Sequence, residues 1–163
     1  MLFHNILLGS LLCGLAVAVP KWCNTTEKAY LVEEDQAYNW FQALHECGRR
    51  NLQLVQIDSK EINDIIVNEV IRPNTVDYGA FFWLGGNDEF NVTSRERDFY
   101  WSPSGRKMDF SNWAEGQPDN DEYKEHCVHA RGIWAYFRWN DYACDNRLGF
   151  ICEEHSLAAV GKS

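Results

Sequence analysis

An α+β domain is the fold class this sequence predicts, and three observations carry it. Two apolar helical stripes come early, short aromatic-rich runs bounded by glycines and turn residues follow, and no repeat or low-complexity linker divides the chain. The expected architecture is two helices, small antiparallel sheets and long loops. At 163 residues the chain fits one domain of ordinary size, large enough to bury a core.

The elements follow in order. Residues Met1 to Ala18 carry no Lys, Arg, Asp or Glu, and Ala16-Val17-Ala18 supplies a small-x-small cleavage pattern. The apolar run of about 13 residues is short of the ~20 that a membrane span requires. Residues 1–18 read as a cleaved secretory signal, leaving a single domain over 19–163 with its core between about 23 and 154. The basic n-region usual in such signals is absent, so a retained anchor is the alternative. Tyr30 to Val32 reads as a first strand. Ala37, Trp40, Phe41, Leu44 and Gly48 form an apolar helical stripe. A second helix is expected from Asp58, with Glu61 completing a capping box and Ile62, Ile65, Ile66 and Val70 facing inward. Pro73 should follow its end. Strands are expected at Phe81–Leu84, Phe99–Trp101, Cys127–Ala130 and Gly149–Glu153.

Cys13 leaves with the signal, so the mature chain keeps Cys23, Cys47, Cys127, Cys144 and Cys152. None has the paired spacing of a zinc site, and export favours disulfides. A net charge of −9, all of it in the mature part, argues against DNA, RNA or an anionic membrane as partner. Asn24-Thr25-Thr26 and Asn91-Val92-Thr93 fit the N-glycosylation acceptor pattern.

Gln117-Pro118-Asp119, Glu125 and Asn140-Asp141 are the chemically informative set. Taken alone, the acidic stretch from Asp119 to Glu125 is a solvated loop. Together with two amide side chains it supplies the mixture of charged and neutral oxygens that calcium takes as ligands. The histidines at 45, 126, 129 and 155 lack any zinc-site pattern and read as structural or exposed. Trp83, Trp113 and Trp139 read as core, and Gly85-Gly86 as backbone geometry.

Glu125-His126-Cys127, Trp139-Asn140-Asp141, Trp83-Leu84-Gly85-Gly86, Trp40-Phe41-Gln42-Ala43 and Phe150-Ile151-Cys152 together resemble the signature of C-type lectin domains. The resemblance implies disulfides Cys47–Cys152 and Cys127–Cys144. Closing loops of about 100 and about 17 residues contributes about 4.7 and about 3 kcal/mol. Cys23 is then odd; it joins two chains in a homodimer or stays free.

The same resemblance implies that Gln117, Asp119, Glu125, Asn140 and Asp141 ligate calcium and contact the sugar, with Pro118 after a cis bond. Gln-Pro-Asp is similar to the galactose-type variant, whereas Glu-Pro-Asn marks the mannose type. Tyr123, Trp134, Tyr136 or Phe137 would stack on the apolar face of the sugar, and Asp121 stands where the best-known galactose binders carry a tryptophan. An auxiliary calcium site would fall at Asp88, Glu96, Asn120 and His126; two of these are not acidic, so it is expected empty or weak. The implied function is a secreted, extracellular, calcium-dependent lectin for galactose or N-acetylgalactosamine on cell or microbial surfaces, with innate immune recognition as its setting. It is not an enzyme. The alternative is a module of the same fold that binds a protein surface without sugar.

Overall fold

A computed structural model describes residues 19–74, 79–89, 97–131 and 137–155. The expected signal (1–18), Asn91, Glu96, Trp134 and Tyr136 lie outside these. The elements are β1 (Lys21–Asn24), β2 (Ala29–Tyr38), α1 (Trp40–Gly48), β3 (Gln53–Leu54), α2 (Lys60–Ile65), a π-helical segment (Ile66–Ile71) and α3 (Arg72–Asn74). They continue as β4 (Phe81–Asn87), β5 (Tyr100–Trp101), a 3-10 turn (Asp121–Tyr123), β6 (Cys127–Arg131), β7 (Trp139–Tyr142) and β8 (Leu148–Glu153).

The strands join in one eight-stranded sheet of order β1-β2-β8-β4-β6-β7, with β3 on β8 and β5 on β4. Small antiparallel sheets are the expectation, and the other ladders are antiparallel; β4 and β8 pair in parallel at Phe82↔Gly149 and Trp83↔Phe150, which makes the sheet mixed. Parallel pairing needs a long connection, and the chain between these two strands supplies it. The β1–β2 and β2–β8 ladders bring both ends of the domain to one side of the sheet.

Helix α1 starts where Asn39 accepts from the Gln42 N–H (2.8 Å) while Gln42 accepts from the Asn39 N–H (3.0 Å). This reciprocal cap satisfies two otherwise orphan donors. The buried face is Trp40, Ala43 and Cys47. Ala37 belongs to β2, and Phe41 (51% exposed) and Leu44 (37%) turn outward, which corrects the expected stripe. The reason is the short helix: its inward direction is set by Cys47 and by Trp40 Nε1 donating to the Leu84 carbonyl (2.9 Å).

Ser59, not Asp58, caps α2, accepting from the Ile62 N–H at 3.3 Å. Asp58 instead pairs with Arg106 and accepts from Gln56 Nε2 at 2.9 Å. Ile66, Val70 and Ile71 are buried, whereas Ile62 and Ile65 are half-buried. Pro73 sits within the last turn instead of after it. There the Arg72 N–H reaches back five residues to the Val67 carbonyl, and a wide register of this kind accommodates a residue with no N–H.

Two apolar clusters form the core. One gathers Tyr30, Ile66, Phe82, Trp101 and Trp139; the other gathers Leu31, Trp40, Leu54, Trp83 and Phe150. Cys47–Cys152 pins α1 to β8, and Cys127–Cys144 closes the β6–β7 hairpin. Cys23 is a free thiol, only 4% exposed, and burial pushes its pKa up. A chain-to-chain bond through Cys23 therefore requires β1 to leave the sheet. Asn24 is exposed at the end of β1. Among the described residues no helix is long and apolar enough to cross a membrane.

Gly149 lets β8 approach β2: a Cβ there would lie 2.2 Å from the Glu33 carbonyl oxygen. Backbone cannot swing aside as a side chain can, so overpacking here falls at the costly end of its range. Gly149→Ala should cost about 3 kcal/mol or more in a denaturant melt. An unchanged midpoint would contradict this contact.

Candidate functional site

The site is built on the edge strand β7 and the loop before β6. Trp139 holds β7 in place: its ring is fully buried, in edge contacts with Trp101 (5.7 Å), Phe110 (5.7 Å) and Trp113 (5.8 Å). The Trp139 N–H donates to the Asn112 carbonyl (2.9 Å), and the Ala114 N–H donates to the Trp139 carbonyl (2.8 Å). These bonds lay the loop carrying Gln117 and Asp119 beside Asn140 and Asp141. The Gln117–Pro118 peptide is cis, as the motif implies. Gly116, Asn120, Glu122 and Tyr123 all have left-handed φ (83°, 48°, 51° and 59°), a conformation costly for non-glycine residues. Such costs concentrate at functional loops.

Asp119, Glu125 and Asp141 each offer a carboxylate oxygen, all within 4.8 Å of one another. Asp141 is fully buried; its Oδ1 accepts from the Asp119 N–H (3.1 Å) and its Oδ2 from the Asn120 N–H (2.9 Å). Glu125 accepts from the Asp121 N–H (3.2 Å), and its own N–H donates to Asn120 Oδ1 (3.1 Å). The structure thus holds the loop closed through backbone donors, with carboxylate lone pairs left over.

The two amide residues complete the set. Gln117 Oε1 and Asn140 Oδ1 are buried and have no hydrogen-bond partner among the described residues. Orphaned buried acceptors are uncommon and call for a cation or donor. Three carboxylates and two unsatisfied amide oxygens fit calcium, which takes about six to eight oxygens and tolerates irregular geometry. The donor set lacks the thiolates and imidazoles that zinc favours. His129 lies alongside, with its Nε2 3.3 Å from Asn140 Nδ2. Burial pushes its pKa down to about 4, so it stays neutral and accepts from that amide.

Tyr123 is 54% exposed on the same loop, in reach of solvent as a stacking ring must be. Phe137 is buried (2% exposed) and packs in the core, so it is withdrawn from the candidate stacking residues.

Arg97 is the residue that sequence reasoning missed. Its guanidinium, fully buried, bridges the carboxylates of Asp88 and Asp141 and donates to the Glu125 carbonyl. His126 Nδ1 also lies 3.0 Å from Asp88. Asp88, expected in the auxiliary calcium site, is therefore committed to an internal cation, and Asn120 Oδ1 is committed to the Glu125 N–H. Within the Ser94-Arg95-Glu96-Arg97 run no local signal distinguishes this guanidinium from an ordinary surface charge.

Burial, followed by the negative charge of Asp141 and Asp119, raises Glu125 from the ordinary 4.5 to about 7. In the metal-free protein the folded state then holds a proton that the unfolded state releases. That stabilising contribution is fully present below about 4.5 and lost as pH rises through about 7. Metal binding requires the ionised form, so calcium affinity should fall on acidification starting near neutrality and not near 4.5. Calcium titrations from pH 8 to pH 5 check this; an affinity flat down to about pH 5 would contradict it.

Comparison with known proteins places the arrangement. The family model "Lectin C-type domain" matches residues 36–154. A "Lectin subunit alpha" of Sarcophaga peregrina is 44% identical over 128 residues, 77% of this chain and 44% of that protein. "C-type lectin 16" of Aedes aegypti is 30% identical over 123 residues, 71% of this chain and 75% of that one. The chain thus spans less than half of the Sarcophaga protein and three quarters of the Aedes protein. Among solved structures, the carbohydrate-recognition domain of the mouse scavenger receptor C-type lectin superposes with a TM-score of 0.66 at 29% identity, covering 85% of this chain and 98% of that one. On the match over 36–154 and these relatives, the chain belongs to the C-type lectin domain family, a family of carbohydrate-binding, non-enzymatic modules that typically bind calcium.

Proposed function

We propose that this chain is a secreted, extracellular, calcium-dependent lectin that binds terminal galactose or N-acetylgalactosamine through Gln117, Asp119, Glu125, Asn140 and Asp141. The observation that carries the reading is the convergence of the Asp119, Glu125 and Asp141 carboxylates, joined on the same loop and strand by Gln117 and Asn140, whose buried amide oxygens have no partner among the described residues. When bound, calcium supplies a divalent charge that two neighbouring sugar hydroxyls can reach.

The chain's own groups do the rest. Each hydroxyl donates one hydrogen bond to a carboxylate and accepts one from an amide N–H. Asp119 and Glu125 are the acceptors; Gln117 Nε2 and Asn140 Nδ2 are the donors. The order Gln-Pro-Asp reverses acceptor and donor relative to the mannose-type Glu-Pro-Asn, which supports the galactose preference. The exposed Tyr123 ring offers an apolar surface for the face of the sugar. Affinity for one monosaccharide is weak because the contact is small, so cell or microbial surfaces would be engaged through several sites at once. Export through residues 1–18, with glycans on Asn24 and Asn91, belongs to the same reading.

The test is retention on immobilised galactose in calcium. Release is expected with a chelator and with free galactose, and not with equal mannose. Undiminished retention in chelator would reject the metal; equal elution by mannose would reject the sugar preference.

A further inference from the structure

A cavity of about 670 Å³ lies beside the candidate sugar site and shares Gln117 and Asn140 with it. Its remaining wall includes Phe81, Tyr142 and the arginines 131, 138 and 147. That volume falls in the range of small-ligand sites.

The three arginines differ from most of the other described cations. Lys21, Lys28, Arg49, Arg50, Lys60, Arg97, Arg106, Lys107 and Lys124 each pair with a carboxylate. Arg131, Arg138 and Arg147 pair with no carboxylate among the described residues; Arg72, away from this cavity, donates to Asn68 Oδ1 (2.8 Å). Arg131 lies over the Phe81 ring (5.4 Å to its centroid), Arg138 donates to Asn112 Oδ1 (2.8 Å) and Arg147 donates to the Ala37 carbonyl (2.5 Å). In a chain of net charge −9, three cations without carboxylate partners among the described residues line one cavity, with Glu115 the lone acid among the described residues of its wall. Guanidinium groups match the planar or tetrahedral oxygens of carboxylate and sulfate through paired N–H donors.

We propose that this cavity is an extended subsite for an anionic substituent, a sulfate or carboxylate carried by a glycan whose neighbouring sugar occupies the Gln117–Asn140 site. The proposal rests on that site being the sugar site. A glycan fits better than an anionic membrane, because the cavity is continuous with the sugar-binding residues and the strongly negative chain repels a lipid surface. The arginines are exposed, so the attraction is partly screened and should weaken as salt rises.

The test compares a neutral galactose oligosaccharide, its sulfated counterpart and a galacturonate oligosaccharide, with calcium and with chelator. The native chain should bind both anionic forms roughly tenfold tighter than the neutral one in calcium. The variant Arg131→Gln/Arg138→Gln/Arg147→Gln should bind all three alike while keeping its neutral-sugar affinity. The single variant Arg131→Gln, whose side chain makes no hydrogen bond to another described residue, should lose part of the preference and guards against a fold defect in the triple variant. Equal affinity for neutral and anionic forms in the native chain would overturn the subsite. So would a preference that survives the triple substitution, or binding to glycan-free vesicles of anionic lipid. Loss of the neutral sugar in the native chain, with sulfated binding that persists in chelator and depends on the arginines, would overturn the calcium reading and leave the anion pocket standing.

Discussion

Asp119→Ala should abolish calcium-dependent sugar retention while leaving the metal-free protein at least as stable as before. The carboxylate stands within 4.8 Å of Glu125 and Asp141, and its negative charge helps to hold the Glu125 carboxyl above its ordinary range. Removing it takes away one charged ligand and one source of repulsion together. Calcium affinity should fall by at least about a hundredfold, since charge count sets much of the affinity of an oxygen site. The Glu125 carboxyl should move back toward ordinary values, visible as a downward shift in its titration by NMR. A partner still bound by this variant would favour a protein-surface role for the same fold. A melt lowered by more than about 1 kcal/mol without metal would show that Asp119 also holds the loop in a way the hydrogen bonds do not reveal.

Arg97→Ala should be the costlier change for stability. The guanidinium and both carboxylates it bridges, Asp88 and Asp141, are fully buried. Breaking a buried ion pair from one side leaves uncompensated charge and costs about 3–5 kcal/mol. Arg97→Lys keeps the charge but loses the fork that spans two carboxylates, so an intermediate loss is expected. In a double-mutant cycle, adding Asp88→Asn to Arg97→Ala should recover part of the deficit, because one orphaned charge goes with it. Losses that simply add would mean that the two residues do not interact. Asp141 is both a candidate metal ligand and an Arg97 partner. The internal cation offsets negative charge where the carboxylates of Asp119, Glu125 and Asp141 converge.

Much of this was legible along the chain. Gln117, Asp119, Glu125, Asn140 and Asp141 stand out as a set by residue type and order; the structure brings the carboxylates of Asp119, Glu125 and Asp141 within 4.8 Å of one another, with Gln117 on the same loop and Asn140 on the same strand. Both disulfides formed as the family resemblance implied. Four strands and both helices were placed to within a few residues, because apolar periodicity reports burial directly.

What was not legible depends on topology. β7, Trp139–Tyr142, reads as polar and is a strand because β6 offers it an edge and a disulfide closes the hairpin. The parallel β4–β8 contact joins segments about sixty residues apart, and no local pattern encodes it. Phe41 and Leu44 look buried by hydropathy, yet the Trp40–Leu84 bond and the Cys47 disulfide turn them outward. Arg97 and the cavity arginines carry ordinary surface chemistry until the fold decides which of them meet carboxylates.

The most direct test is a crystal of residues 19–163 grown with calcium and galactose, with anomalous scattering measured at long wavelength. An anomalous peak is expected about 2.3–2.6 Å from side-chain oxygens of Gln117, Asp119, Glu125, Asn140 and Asp141, with two adjacent galactose hydroxyls completing its shell. Galactose bound with no ion at that centre, or an ion bound there with the sugar elsewhere, would contradict the account.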